Sequence, residues 1–116
     1  MTPGELLAAA RDLVERPAGE TAGLWSRAAT LLTRQALEAA LGQILAKRAP
    51  GSQAASFSAQ LLVLGDVLDD PGLAARAAYT WSALSRATHQ QGYELPAGDK
   101  ELRRWIETVG EIVAAG

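Results

Sequence analysis

The chain has 116 residues, an ordinary size for one domain, and a formal net charge of −2. With this net charge the chain is not one of the strongly basic proteins that bind the phosphates of duplex DNA. The absence of cysteine excludes disulfides and thiolate metal sites. The N-terminus has no basic region followed by an apolar run, so we predict no secretory signal and a cytoplasmic location. No apolar stretch approaches the length of a membrane span.

Hydrophobic periodicity and capping residues predict five helices and no strand. The predicted helices run from about Gly4 to Arg16, from Thr21 to Arg48, from Ala54 to Leu68, from Pro71 to Gln90, and from Asp99 onward. Short links between long helices favour antiparallel neighbours. We therefore predict an all-α fold, an antiparallel up-and-down helical bundle of about five helices that forms a single domain over residues 1–116.

The second helix is predicted to be the central one, because it carries two adjacent apolar stripes and must therefore pack against several neighbours. Arg34 and Glu38 keep to its remaining face. The first stripe contains Trp25, Ala29, Leu32, Ala36 and Ala39, and the second contains Leu37, Leu41, Ile44 and Leu45.

The helix boundaries are predicted from proline, glycine and capping side chains. The segments Pro17-Ala18-Gly19 and Ala49-Pro50-Gly51 end the first two helices, since proline cannot continue the hydrogen-bond ladder. Asp70 suits an N-cap, and Pro71 suits the first position of the fourth helix. Asp99 is predicted to cap the fifth helix.

One polar segment contains the residues best suited to chemistry. His89 is the only histidine, and histidine can give and take protons near neutral pH without special tuning. Arg86 lies one helical turn before it and Tyr93 one turn after it, if the helix persists. An arginine could hold a phosphate while a histidine moves a proton. The alternative is that these side chains cap and solvate the end of the helix, where histidine is favourable through the helix dipole.

A second candidate is the basic cluster Lys100, Arg103 and Arg104, early in the fifth helix. Basic side chains near a helix N-terminus oppose the dipole, so this cluster is a candidate for binding an anion such as an RNA phosphate. The alternative is a solvated face, because Glu101 and Glu107 stand among these residues. The three tryptophans, at positions 25, 81 and 105, lie on apolar stripes and are predicted to be core or interface anchors.

We predict neither a metal site nor a cofactor. With one histidine and no cysteine, only carboxylates remain as ligands, and Asp66, Asp69 and Asp70 lack the alternating spacing of a Ca²⁺ loop. The sequence contains no GxGxxG motif and no P-loop for a nucleotide.

Two segments resemble helices of the HEPN superfamily. The second helix leads from a small-residue stretch into an R-x-x-L-E-x-x-L pattern, here Arg34 to Leu41, and the segment from Trp81 to His89 is similar to the polar motif of a later HEPN helix. The resemblance implies a helical bundle that dimerises. It also implies either a binding or partner module, as in toxin–antitoxin and defence systems, or a metal-independent endoribonuclease.

The ribonuclease motif of HEPN enzymes is an arginine, four to six intervening residues and a histidine. Here two residues separate Arg86 from His89, and Arg76 lies too far upstream to substitute. We therefore favour a non-catalytic dimeric HEPN-like module that binds a partner. The alternatives are an endoribonuclease that uses Arg86 and His89, and a structural helical bundle that serves as an assembly adaptor.

Overall fold

The computed structural model describes residues 1–16, 24–89 and 97–116. Within these ranges the chain forms five α-helices, a short 3₁₀ turn at Ser52–Ala54, and no strand, which confirms the all-α class. None of these helices is both long enough and apolar enough to cross a membrane. The helices are α1 (Pro3–Glu15), α2 (Leu24–Arg48), α3 (Phe57–Leu68), α4 (Pro71–Thr88) and α5 (Asp99–Ala115).

Four helices form an antiparallel bundle in which α2 is central. α2 packs against α1, α4 and α5, and more lightly against α3. Contacts along the helices give their directions: Arg34, in the first half of α2, bonds Thr88 at the end of α4, and Arg76, early in α4, pairs with Glu111 near the end of α5. α4 therefore runs opposite to α2 and α5. The bundle, the central position of α2 and the antiparallel packing are as predicted.

α3 lies outside this four-helix arrangement, against α4. Phe57 at its start stacks on Trp81, with ring centroids 5.0 Å apart. Gly65, a turn before its end, lies beside Ala74 at the start of α4, so the two helices are antiparallel. Among the described helices, α3 packs against α4 and more lightly against α2, on the outside of the bundle.

The core is built largely from the second apolar stripe of α2. Leu37, Leu41, Ile44 and Leu45 are all buried, as predicted, and they meet buried side chains from α1, α4 and α5. The first stripe is less uniform. Its alanines 29 and 36 are fully buried, whereas Trp25, Leu32 and Ala39 are partly exposed at its flank. Small side chains therefore occupy the fully buried positions of this stripe.

Local chemistry explains most of the helix ends. The Asp70 carboxylate accepts a hydrogen bond from the Leu73 amide at 3.0 Å, and Pro71 is the first residue of α4, so both predictions are confirmed. The predicted cap at Asp99 is wrong. Gly98 is the N-cap, and Asp99 is the first helical residue, where its carboxylate lies 3.7 Å from Arg103 one turn on. An acidic side chain is also favourable in the first turn.

Two other boundaries differ from the sequence prediction. α3 begins at Phe57 rather than Ala54, because the hydroxyl of Ser56 accepts a hydrogen bond from the Ala59 amide and caps the helix there. α1 begins at Pro3 rather than Gly4, and its start is stabilised by a capping box in which the Thr2 backbone N–H donates to Glu5. This hydrogen bond holds the pKa of the Glu5 carboxyl below its usual value. The predicted boundaries at 17–19, Thr21 and Gln90 lie outside the described residues.

Candidate functional site

Arg86 and His89 lie one turn apart at the exposed end of α4. His89 is the residue that ends the helix, and its backbone N–H donates to the carbonyls of Ser85 and Arg86. Within the part of the chain that the structure describes, neither side chain makes a hydrogen bond or an ion pair. Both are therefore accessible at the surface. The third predicted member, Tyr93, lies outside the described residues.

The predicted basic cluster on α5 is divided between two grooves. Lys100, Arg103 and Arg104 are all exposed. Arg103 pairs with Asp99 and lines a groove of about 220 Å³ between α1 and α5. Arg104 lines a different groove, between α4 and α5. Adjacent helical residues point about 100° apart. The guanidiniums of Arg103 and Arg104 therefore lie on different surfaces and do not form one basic patch.

A polar seam between α2 and α4 was missed by the sequence prediction. Arg34 is half-buried, and its Nη1 donates to Thr88 Oγ1 at 2.9 Å while its Nε lies 3.6 Å from Glu38 Oε1. Thr88 Oγ1 in turn donates to the Ser85 carbonyl at 3.0 Å. The spacing of Arg34 and Glu38, one turn apart on α2, is visible in the sequence. Nothing in the sequence indicates that α4 covers them.

Three atoms at or beside this seam are buried without a hydrogen-bond partner in the described ranges: Arg34 Nε, Ser85 Oγ and Trp81 Nε1. An unpaired buried hydroxyl costs free energy, because it loses its hydrogen bonds to water and gains none. Ser26 is the contrasting case. It is a buried serine on a helix, whereas Ser85 is half-buried, and the Ser26 hydroxyl donates to the Ala97 carbonyl and ties α2 to the residues just before α5.

These two serines give a matched prediction. We expect Ser85→Ala to leave the free energy of unfolding unchanged or to raise it by up to about 1 kcal/mol, since no hydrogen bond is lost and alanine favours helix. We expect Ser26→Ala to lower it by about 0.5–1.5 kcal/mol, because a hydrogen bond is removed. Urea melts of both variants measure the difference. A larger loss for Ser85→Ala than for Ser26→Ala would contradict the assignment of partners.

The carboxylates in the described ranges do not form a metal site. Glu111 lies 2.8 Å from Arg76, and Asp12 lies 3.7 Å from Arg16, all on the exposed surface. Over residues 1–16, 24–89 and 97–116, no three histidine, aspartate or glutamate side chains are close enough together to hold an ion.

Two further surface features are large enough to accept another molecule. A groove of about 410 Å³ runs between α4 and α5 and has both charged and aromatic walls. A second groove, of about 330 Å³, runs between α3 and α4, and its described lining residues are all uncharged. Leu62 on α3 stands at this second groove with 81% of its surface exposed.

No family model matches the chain, and no significant match is found among curated proteins or among solved structures. The HEPN resemblance therefore depends on the residues of α2 and α4 alone and stays a hypothesis.

Proposed function

We propose that the chain is a non-catalytic helical binding module that pairs with a second copy of itself through the α3/α4 groove. The observation that carries the proposal is the apolar surface left on α3. Leu61 and Leu62 line the groove from α3, and Leu62 is 81% exposed although Leu61 beside it is buried. Three more apolar side chains of α3 pack against the core outside the groove and are only partly covered: Val63, Val67 and Leu68. Exposed apolar surface of this kind is typical of a protein–protein contact.

The chemistry of the groove favours a second copy as the occupant. In a two-fold interface the same patch meets itself, so a charged side chain near the axis would face its own like charge. Among the residues that the structure describes, none that lines this groove is charged. Gly65, Ala74 and Ala78 provide a shallow floor, and Leu62 projects beside them. One protomer's Leu62 can thus enter its partner's small-residue floor. The HEPN resemblance, which implies a dimer, agrees with this arrangement.

Sedimentation equilibrium at micromolar concentration tests the proposal. We expect the natural protein to have a mass of about 24 kDa, twice the 12.2 kDa of one chain. We expect Leu62→Glu to sediment as a monomer, because the charge would be buried without a counter-ion in the partner's apolar floor. The matched control is Leu31→Glu, another exposed leucine, which lies on α2 and does not line the groove. A monomeric natural protein, or a dimer that Leu62→Glu leaves intact, would refute the proposal.

A second candidate function is metal-independent cleavage of RNA by Arg86 and His89. The observation that favours it is the position of the pair on α4. Ser82 lines the α3/α4 groove, and Arg86 follows one turn later, so the pair would lie at the edge of the proposed dimer. A two-fold axis there would bring two copies of the pair near each other. The short spacing between arginine and histidine argues against convergence on one phosphate, so we rank this function second.

Single-stranded RNA incubated with the protein in EDTA tests whether the module is non-catalytic. We expect no cleavage by the natural protein. Cleavage that is lost in both His89→Ala and Arg86→Ala would replace the proposal with the ribonuclease function. Cleavage of equal rate in all three proteins would indicate a contaminating nuclease and would leave the module without an activity of its own.

A further inference from the structure

The groove between α4 and α5 has the features of a binding site and shares one lining residue, Ala75, with the α3/α4 groove of the proposed dimer. Its volume of about 410 Å³ is within the range of small-molecule sites. Arg76, Tyr79 and Thr80 line it from α4, and Glu101, Arg104 and Trp105 line it from α5. Polar and aromatic side chains thus converge from two rigid helices.

Thr80 is the first sign that the groove accepts a ligand. Four polar residues in the described ranges are buried: Ser26, Thr30, Thr33 and Thr80. The hydroxyls of the first three each donate to a backbone carbonyl. Thr80 is 3% exposed and makes no side-chain hydrogen bond in the described ranges. The enclosed polar atoms that lack a partner in the described ranges do not include Thr80 Oγ1, so this atom is not completely enclosed. The hydroxyl therefore keeps its hydrogen-bonding capacity for a group in the groove.

The charges in the groove favour an anion near Arg104. Arg76 is held 2.8 Å from Glu111, which offsets its charge and fixes its position. Arg104 makes no ion pair with any described residue, so its guanidinium is free to bind a carboxylate or phosphate through two parallel hydrogen bonds. Glu101 is the one carboxylate in the lining, and it lies beyond ion-pair distance of Arg104. A ligand's anionic group would therefore bind to the Arg104 guanidinium, which no described carboxylate occupies.

The walls of the groove favour a planar apolar body. Trp105, which is largely buried, lines the groove from α5, and the exposed Tyr79 lines it from α4. Aromatic side chains stack on or pack edgewise against a flat ligand. From these observations we propose that the α4/α5 groove binds a small organic anion with an aromatic body, its anionic group on Arg104 and its edge on the Thr80 hydroxyl.

Calorimetric titration with three probes tests the proposal: 2-naphthoate, 2-naphthyl phosphate and the uncharged 2-naphthylmethanol. We expect at least one of the two anions to bind and the alcohol to bind about tenfold more weakly or not at all, since it lacks the charge-assisted hydrogen bonds. The comparison of the two anions identifies the preferred head group. Equal binding of all three probes would overturn the assignment of an anion site, and binding of none would overturn the site itself.

Variants locate the binding in this groove. We expect Arg104→Gln to weaken binding of the anion about tenfold and Thr80→Val, which keeps the shape of the side chain, to weaken it about threefold. Arg103→Gln is the matched control, because the neighbouring arginine lines the other groove, and its affinity should not change. Unchanged affinity in Arg104→Gln would refute the proposal even if Thr80→Val failed to fold. The monomeric Leu62→Glu variant should bind as well as the natural protein, which separates this proposal from that of the dimer.

Discussion

Leu41→Ala is expected to lower the free energy of unfolding by about 2–5 kcal/mol. Leu41 lies in the middle of α2, is completely buried, and belongs to the stripe that meets the other helices of the bundle. The substitution removes apolar contacts and leaves a cavity that the surrounding helices fill only in part. Since small domains have a total stability of about 5–15 kcal/mol, this one change removes a large share of it.

A leucine on the surface of the same helix provides the control. Leu31 is 47% exposed, so Leu31→Ala removes the same atoms without leaving an enclosed cavity. We expect that variant to lose about 1 kcal/mol or less. Urea unfolding followed by circular dichroism measures both. Similar losses for the two variants would show that Leu41 is not in the core of the folded protein.

Ala36→Leu is expected to lower the free energy of unfolding by about 1–3 kcal/mol, although leucine is the more hydrophobic residue. Ala36 is fully buried and belongs to the core that α2 shares with its neighbours. A larger side chain there must push a helix away or adopt a strained rotamer. The expected loss therefore tests whether alanine is required for its small size.

Ala46→Leu is the matched control for this substitution, because Ala46 is exposed near the end of the same helix. Alanine and leucine are both good helix formers, so we expect a change of less than about 0.5 kcal/mol at this position. Thermal and urea melts of the two variants give the comparison. If the Ala36→Leu protein were as stable as the Ala46→Leu protein, the interface of α2 at Ala36 would have space for a larger side chain.

The sequence by itself determined the helices, their approximate ends and the core side of α2. These are local properties. The 3.6-residue period puts Leu37, Leu41 and Leu45 on one stripe whatever the partner is, and Asp70 with Pro71 starts a helix through bonds that span three residues. The predicted helix starts were wrong where two neighbouring residues or turns could each begin the helix. Gly98 and Asp99 both suit a helix start, and a 3₁₀ turn with a capping Ser56 displaces the start of α3.

Only the tertiary structure decided which surfaces face each other. Helical periodicity shows on which side of its own helix a residue lies, but the neighbour on that side depends on how all five helices pack. For that reason the sequence did not reveal that Arg34 meets Thr88, or that Arg103 and Arg104 serve different grooves. Thr80 shows the same limit: it lines a groove because α5 packs beside α4, a contact between residues far apart in the chain.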